Sequence, residues 1–358
     1  MGLPNISIIF KTTAAAAIAR SEKGTVGLIL RDTNTELQGK VYTIRSSADI
    51  PDFTDANNTN FVKRALLGYI NPPRKIIAYV LSDTAADLED GMTYFETQGD
   101  VDYLCGPYNC TTAEASAIAA WVKRRRQAHS IIKAVLPNSN ADSEGIINVT
   151  VNGAKDSDGA ITTAALCSRI AGLIAGTPMT ISCTYAPLPE LTKITRLSEE
   201  DANAAIDAGE FILIHDGEKI KVGRGVNSLV TTTPDKGAAF KKIKIVEALD
   251  MISHDIRLTC EDNYIGKYSN SYDNKCVLIA AIKGYLEGLE LSGILQSGSS
   301  TCGIDSVAQE SYLKSAGVDT SEMSEQEIKE ANTDDKVFLT CSVKILDAIE
   351  DIAITVTI

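Results

Sequence analysis

Serine hydrolysis, thiol catalysis, metal binding and phosphate binding each need particular side chains at particular spacings, and the 358-residue chain can be tested for each. A Ser-His-Asp triad requires a histidine base oriented by a carboxylate. The three histidines are His129, His215 and His254. His215-Asp216 falls at a predicted hairpin turn and His254-Asp255 in a predicted helix, where adjacent side chains diverge. No G-x-S-x-G elbow accompanies either. The eight cysteines, Cys105, Cys110, Cys167, Cys183, Cys260, Cys276, Cys302 and Cys341, include no C-x-x-C pair and none is grouped with a histidine, so a structural zinc has no support. They read as buried, reduced thiols of a protein made in a cytoplasm.

Neither G-x-x-x-x-G-K-[ST] nor G-x-G-x-x-G occurs, and Gly223-Arg224-Gly225 reads as a bend. Asp156-Ser157-Asp158-Gly159 lacks the terminal glutamate of a calcium loop and reads as a turn. Asp100 and Asp102 could share one strand face, but without a pocket they read as solvated carboxylates. No catalytic residue, cofactor or metal ligand is assigned, and the expectation is a protein that is not an enzyme.

Composition narrows the partners. With 34 Lys plus Arg against 47 Asp plus Glu, the net charge of −13 argues against direct nucleic-acid or anionic-membrane binding, which draw affinity from cationic side chains. The 44% hydrophobic and 23% charged composition is ordinary for a chain that buries cores, and the length suggests two or three domains. Ile6 to Phe10 is too short for a signal peptide and is followed, not preceded, by Lys11. The uncharged stretch Ile170 to Pro189 contains Gly172, Gly176, Pro178 and Pro187, and reads as a helix end, a turn and a buried strand at Thr180 to Tyr185 instead of a membrane span.

Along the chain, strands are predicted at Val26 to Leu30, Val41 to Ile44, Lys75 to Leu81, Val101 to Cys105, Ser130 to Leu136 and Ile146 to Val151. Between them fall helices near Asn58 to Leu67, Ala85 to Thr97, Thr112 to Gln127 and Thr162 to Ile174. Strands alternating with helices of this length predict an α/β fold with a mostly parallel sheet. Thr111 and Glu114 form a capping box at one helix start, and Lys123, Arg124, Arg125 and Arg126 close that helix as a solvated cationic end. Ser198 to Gly209 reads as a short helix, and Phe211 to Ile214 with Lys219 to Val222 as a hairpin around Asp216-Gly217. Two longer helices follow, Phe240 to Cys260 and Asp273 to Leu289, then a polar segment Gln296 to Asp335 and a strand Lys336 to Ile345.

Both ends alternate as strands. Ile6, Ile8 and Phe10 share one face near the start, and Ile352, Ile354 and Val356 share one near the finish. A lone strand is unstable until its backbone groups are paired, so each end either docks on its own subunit or adds to a neighbour's sheet.

The run Val222-Gly223-Arg224-Gly225-Val226-Asn227-Ser228-Leu229-Val230, the segment Phe240 to Ile252 (FKKIKIVEALDMI) with Asp255-Ile256, the stretch Phe10 to Arg20 before Gly24-Thr25-Val26, and the helix around Asn274 to Gly288 together resemble contractile phage tail sheath proteins. The likeness is to the Gram-positive branch of PBSX-like prophages and diffocin-type R-bacteriocins, and spans nearly the whole chain. It implies a structural subunit that polymerises with itself as stacked hexameric rings around an inner tail tube, with baseplate and tail-terminator proteins as further partners, in the tail of a virion or bacteriocin particle.

The resemblance also implies a subtilisin-like core without a catalytic triad, a small N-terminal β-containing domain and an α+β C-terminal domain. Carried onto this chain, the divisions are an arm at 1–25, a small domain at 26–82, the core at 83–234, the C-terminal domain at 235–346 and an arm at 347–358. The arms Asn5 to Lys11 and Asp351 to Thr357 would add to a neighbour's sheet that includes Lys336 to Ile345. Lys123 to Arg126 would serve as a basic patch against an acidic neighbouring subunit. The competing readings are an α/β hydrolase-like enzyme with unrecognised catalytic residues and another self-assembling particle component.

Overall fold

The segment Thr25–Asp32 (β1) is a nearly continuous apolar run, the pattern of a parallel strand covered on both faces. Val26, Leu28, Ile29 and Leu30 are all fully buried. The computed structural model, which describes Ile18, residues 24–97 and residues 101–357, places β1 inside a mixed sheet. The other strands of that sheet are Val41–Ile44 (β2), Lys75–Ser82 (β3), Tyr103–Cys105 (β4), Lys133–Pro137 (β5), Ile146–Val149 (β6) and, after a hairpin of Ala154–Asp156 (β7) and Gly159–Ile161 (β8), Glu210–Phe211 (β9). Their order is β2-β3-β1-β4-β5-β6-β9, parallel throughout except for the antiparallel edge strand β2.

Two helical layers cover the sheet. Ala56–Leu66 (α1) and Thr163–Ala175 (α4) close one face, where Phe61, Val62, Leu166 and Ile170 meet Val26, Leu28, Ile76 and Val149. Glu89–Thr97 (α2) and Thr112–Gln127 (α3) close the other, where Phe95, Ile118 and Val122 meet Ile29, Leu104 and Leu136. The start of α3 is fixed by the expected capping box, with the Thr111 amide donating to Glu114 at 2.8 Å and the Glu114 amide to Thr111 at 3.3 Å. Gly172 lets α4 approach α1 closely, since a β-carbon there would lie 1.9 Å from the Ala65 carbonyl oxygen.

Two expectations are corrected here. Residues 26–82 do not stand apart from 83–234, because β1 is hydrogen-bonded to β3 on one side and β4 on the other, making them one sheet. The strand expected at Thr180 to Tyr185 is absent; Tyr185 takes a positive φ of 58°, and just beyond it Pro187 makes an isolated bridge to Lys221. Glu199–Asp207 (α5), capped by Ser198, forms as expected, and the hairpin forms from Leu213–His215 (β10) with Ile220–Val222 (β11), while Phe211, expected in its first strand, pairs instead with Val149 in the main sheet.

The chain divides into two units, one holding residues 24–251 and 347–357, the other residues 252–346 together with Ile18, among those described. The division falls within Ile243–Asn263 (α6). The second unit contains Tyr272–Leu291 (α7) and an antiparallel pair, Thr301–Ile304 (β12) with Leu339–Ser342 (β13). The polar segment Gln296 to Asp335 carries β12 and two short helices, Ser306–Ser315 (α8) and Glu325–Glu330 (α9). Asp305 caps α8, and Ser324 with Glu327 forms a capping box on α9. Among the described residues, no helix is long and apolar enough to cross a membrane.

Candidate functional site

His215 and several of the carboxylates that could do chemistry are occupied with structural hydrogen bonds. Asp216 accepts the amides of Glu218 and Lys219 at 3.0 Å each, and His215 Nδ1 accepts the Gly217 amide at 3.0 Å. Asp255 accepts the Tyr285 hydroxyl at 2.7 Å. Asp102 is buried and receives the amides of Gly24 and Thr25 at 2.7 and 2.9 Å, fixing the entry to β1, so it is not solvated surface; Asp100 lies outside the described residues. Asp156 accepts the amides of Asp158 and Gly159 within its hairpin and pairs with Arg64 at 2.9 Å. Asp32 accepts from Asn34, Thr54, Asp55 and Asn58 at 2.9–3.2 Å; burial alone would raise its pKa, but these donors hold it below the usual carboxylate value.

The cationic run at the end of α3 splits in two. Lys123 and Arg124 are exposed, as a docking patch requires. Arg125 pairs with Glu96 at 3.1 Å, and Arg126 is committed internally, its guanidinium making two 3.0 Å bonds to Asp250 and one of 3.4 Å to Glu144. The expected patch is therefore corrected for Arg126, because two carboxylates of its own unit neutralise it.

That guanidinium belongs to a buried ion network around Lys133, which is 1% exposed. Its ammonium lies 2.8 Å from Glu247 and 2.9 Å from Asp250, and donates to the Ile131 carbonyl at 3.2 Å. Tyr103 donates to the same Glu247. Burial works to lower the Lys133 pKa, yet Asp250 and Glu247 raise it above the ordinary lysine value. Both acids lie on the first turns of α6, so the network ties that helix to β4 and β5. The preceding loop is fixed as firmly: Asn227 donates to the Phe240 carbonyl at 2.7 Å, and Ser228 donates to the Ser143 carbonyl at 3.0 Å while accepting the Ser143 amide at 3.2 Å.

The C-terminal segment is the candidate assembly element. Glu350 Oε1 accepts the hydroxyls of Thr184 at 2.6 Å and Ser182 at 3.2 Å, and its Oε2 is 3.3 Å from Arg224 Nε and 3.5 Å from Lys242 Nζ. Asp347 pairs with Lys242, and Asp351 with Arg224 at 2.6 Å. Beyond this anchor Ile352, Ile354 and Val356 are 73%, 80% and 78% exposed. Residues 347–357 belong to no strand or helix. Ile6, Ile8 and Phe10 lie outside the described residues.

The family model described as the phage tail sheath protein central domain matches residues 82–228, and that of the phage tail sheath C-terminal domain matches residues 235–358. The tail sheath protein of Clostridium phage phiCD119 is 40% identical over 363 residues, covering 99% of each chain. The chain belongs to the phage tail sheath family. It is a structural sheath subunit, and the relatives it matches include the phage-like element PBSX protein XkdK of Bacillus subtilis (strain 168), 30% identical over 175 residues that cover 48% of this chain and 37% of XkdK. The contracted helical sheath of the anti-feeding prophage shares the fold, with a TM-score of 0.71 at 15% identity over 100% of this chain and 99% of that one.

In this sheath subunit, sequence reasoning singled out Ile352, Ile354 and Val356, which are exposed, and the motif segments, but missed what the motifs do. Glu247 and Asp250 of the FKKIKIVEALDMI segment hold Lys133, and Arg224 of the Gly-Arg-Gly bend holds the arm's root. A partnership between residues 127 apart, as for Arg224 and Asp351, leaves no local signal in one sequence.

Proposed function

We propose that this sheath subunit polymerises as stacked hexameric rings around an inner tail tube and contracts, when released at a baseplate, to drive the tube through a bacterial envelope. The observation that carries this reading is the C-terminal arm: an extended segment with three large β-branched side chains in solvent, attached through an anchored root. Exposed apolar strand of this kind is costly unless another sheet receives it. The receiving edge would be β13 and its flanks. One side of that segment is taken by β12 and by the bridge from Leu295 to Ile345, while its other side has no strand partner among the described residues. The N-terminal arm, Asn5 to Lys11, would supply a second link.

Linked strands can keep subunits joined while their bodies slide, because the ladder hydrogen bonds persist if the tether between arm and body takes up the motion. The parallel sheet between two helical layers supports a subtilisin-like core that carries no triad and includes residues 26–82 with 83–234, followed by a C-terminal domain at 235–346 and the arm at 347–358. The tube, baseplate and terminator proteins are the partners this reading requires, in the tail of a virion or bacteriocin particle.

Deleting residues 352–358 leaves the root contacts in place. The truncated chain is expected to fold and remain monomeric, whereas the full chain gives rods or rings by electron microscopy. Polymers of normal length from the truncated chain would overturn the arm assignment.

A further inference from the structure

Cys302 and Cys341 sit directly opposite one another in the antiparallel β12–β13 pair, with their sulfurs 2.7 Å apart. Opposed residues in such a pair project to the same face, so a bond between these sulfurs requires no change of register. Cys302 is buried and Cys341 is exposed. One sulfur is therefore open to a reagent, and the other is shielded but positioned to displace it.

We propose that Cys302 and Cys341 are a thiol oxidation site, closing to a cross-strand disulfide that staples β12 to β13 when the protein meets a small-molecule disulfide of the glutathione disulfide class. The Cys341 thiolate attacks one sulfur of the reagent; a protein–glutathione S–S bond forms and one glutathione thiol leaves. The Cys302 thiolate then attacks Cys341 Sγ, forming the internal bond and releasing the second glutathione thiol. The two protein thiols lose two electrons, the reagent gains them, and the two thiol protons pass to the departing glutathione molecules.

Exposure makes Cys341 the entry point, while burial first, and then the adjoining Cys341 sulfur, push the Cys302 thiol up to about 12. Cys105, Cys167 and Cys183 are buried in the other unit, and burial raises their thiol pKa values as well. The staple encloses the segment carrying α8 and α9 and fixes the strand that the proposed function uses as acceptor, so its role in assembly rests on that reading.

The test treats the purified full-length chain with glutathione disulfide, blocks free thiols by alkylation and maps peptides with and without reduction. The expected result is a reducible Cys302–Cys341 peptide pair formed before any other crosslink, with slower amide exchange across β12 and β13 that reverts on reduction. The C302S variant should instead accumulate a lasting glutathione adduct on Cys341, and C341S should show neither product. Absence of the crosslink in the wild-type chain, a persistent Cys341 adduct there, or a crosslink without slowed exchange would overturn the proposal. Polymer formation is scored in parallel by electron microscopy: a crosslinked chain that polymerises neither before nor after treatment contradicts the arm reading and leaves the staple standing, whereas a chain that polymerises but stays uncrosslinked after treatment overturns the staple and leaves the arm reading standing.

Discussion

Lys133 illustrates why a charge can be kept inside a sheet-and-helix layer. A lone ammonium there would be strongly disfavoured, but two carboxylates on α6 and the Ile131 carbonyl satisfy it. The attraction is largest where water is excluded, so losing one partner leaves the others buried without full compensation. Replacing Lys133 with Met keeps the volume and removes the charge; we expect a loss of about 3–5 kcal/mol, the usual cost of breaking a buried pair. Urea unfolding followed by the fluorescence of Trp121, the single tryptophan, measures it, and an unchanged midpoint would mean that the network contributes nothing to stability. None of this was legible in the sequence, where Lys133 is one cation among 34. Only its place in an apolar strand hinted that it needed a partner.

At the scale of elements, local chemistry was readable and distant pairing was not. The bounds of α3 follow from its capping box and from the cations at its end, and strands alternating with helices announced a mostly parallel sheet. The strand expected near Thr180 failed because apolar alternation there is overridden by a left-handed Tyr185 and a following proline, which break the ladder. The polar stretch before β13 hid two helices whose short length left little periodicity, although the cap at Ser324 and Glu327 was present to be read. The end of α3 also separates two roles. Reversing the exposed pair with K123E and R124E should leave the unfolding midpoint unchanged while weakening polymer formation, whereas R126E should destabilise the fold by opposing Asp250 and Glu144. Polymers of undiminished length from the K123E and R124E double variant would reduce that helix end to a solvated terminus.

For the whole molecule, a net charge of −13 on every copy means that assembly works against repulsion between subunits. Screening by salt eases that repulsion, but a durable polymer needs directional contacts that repeat at each interface. Under the proposed assembly the anchored and exposed C-terminal segment would offer such a contact: backbone hydrogen bonds to a neighbour's sheet would set its direction, and Ile352, Ile354 and Val356, all exposed, would supply apolar area to bury. The root contacts of Glu350 and Asp351 keep the segment's origin fixed, so that it can reach a neighbour from a defined point. The most direct test is an atomic-resolution electron cryomicroscopy map of the assembled protein, traced through residue 357. The account predicts residues 352–356 hydrogen-bonded as a strand on the β13 edge of an adjacent copy. Arms lying on the surface of their own subunit in every assembled form would contradict it.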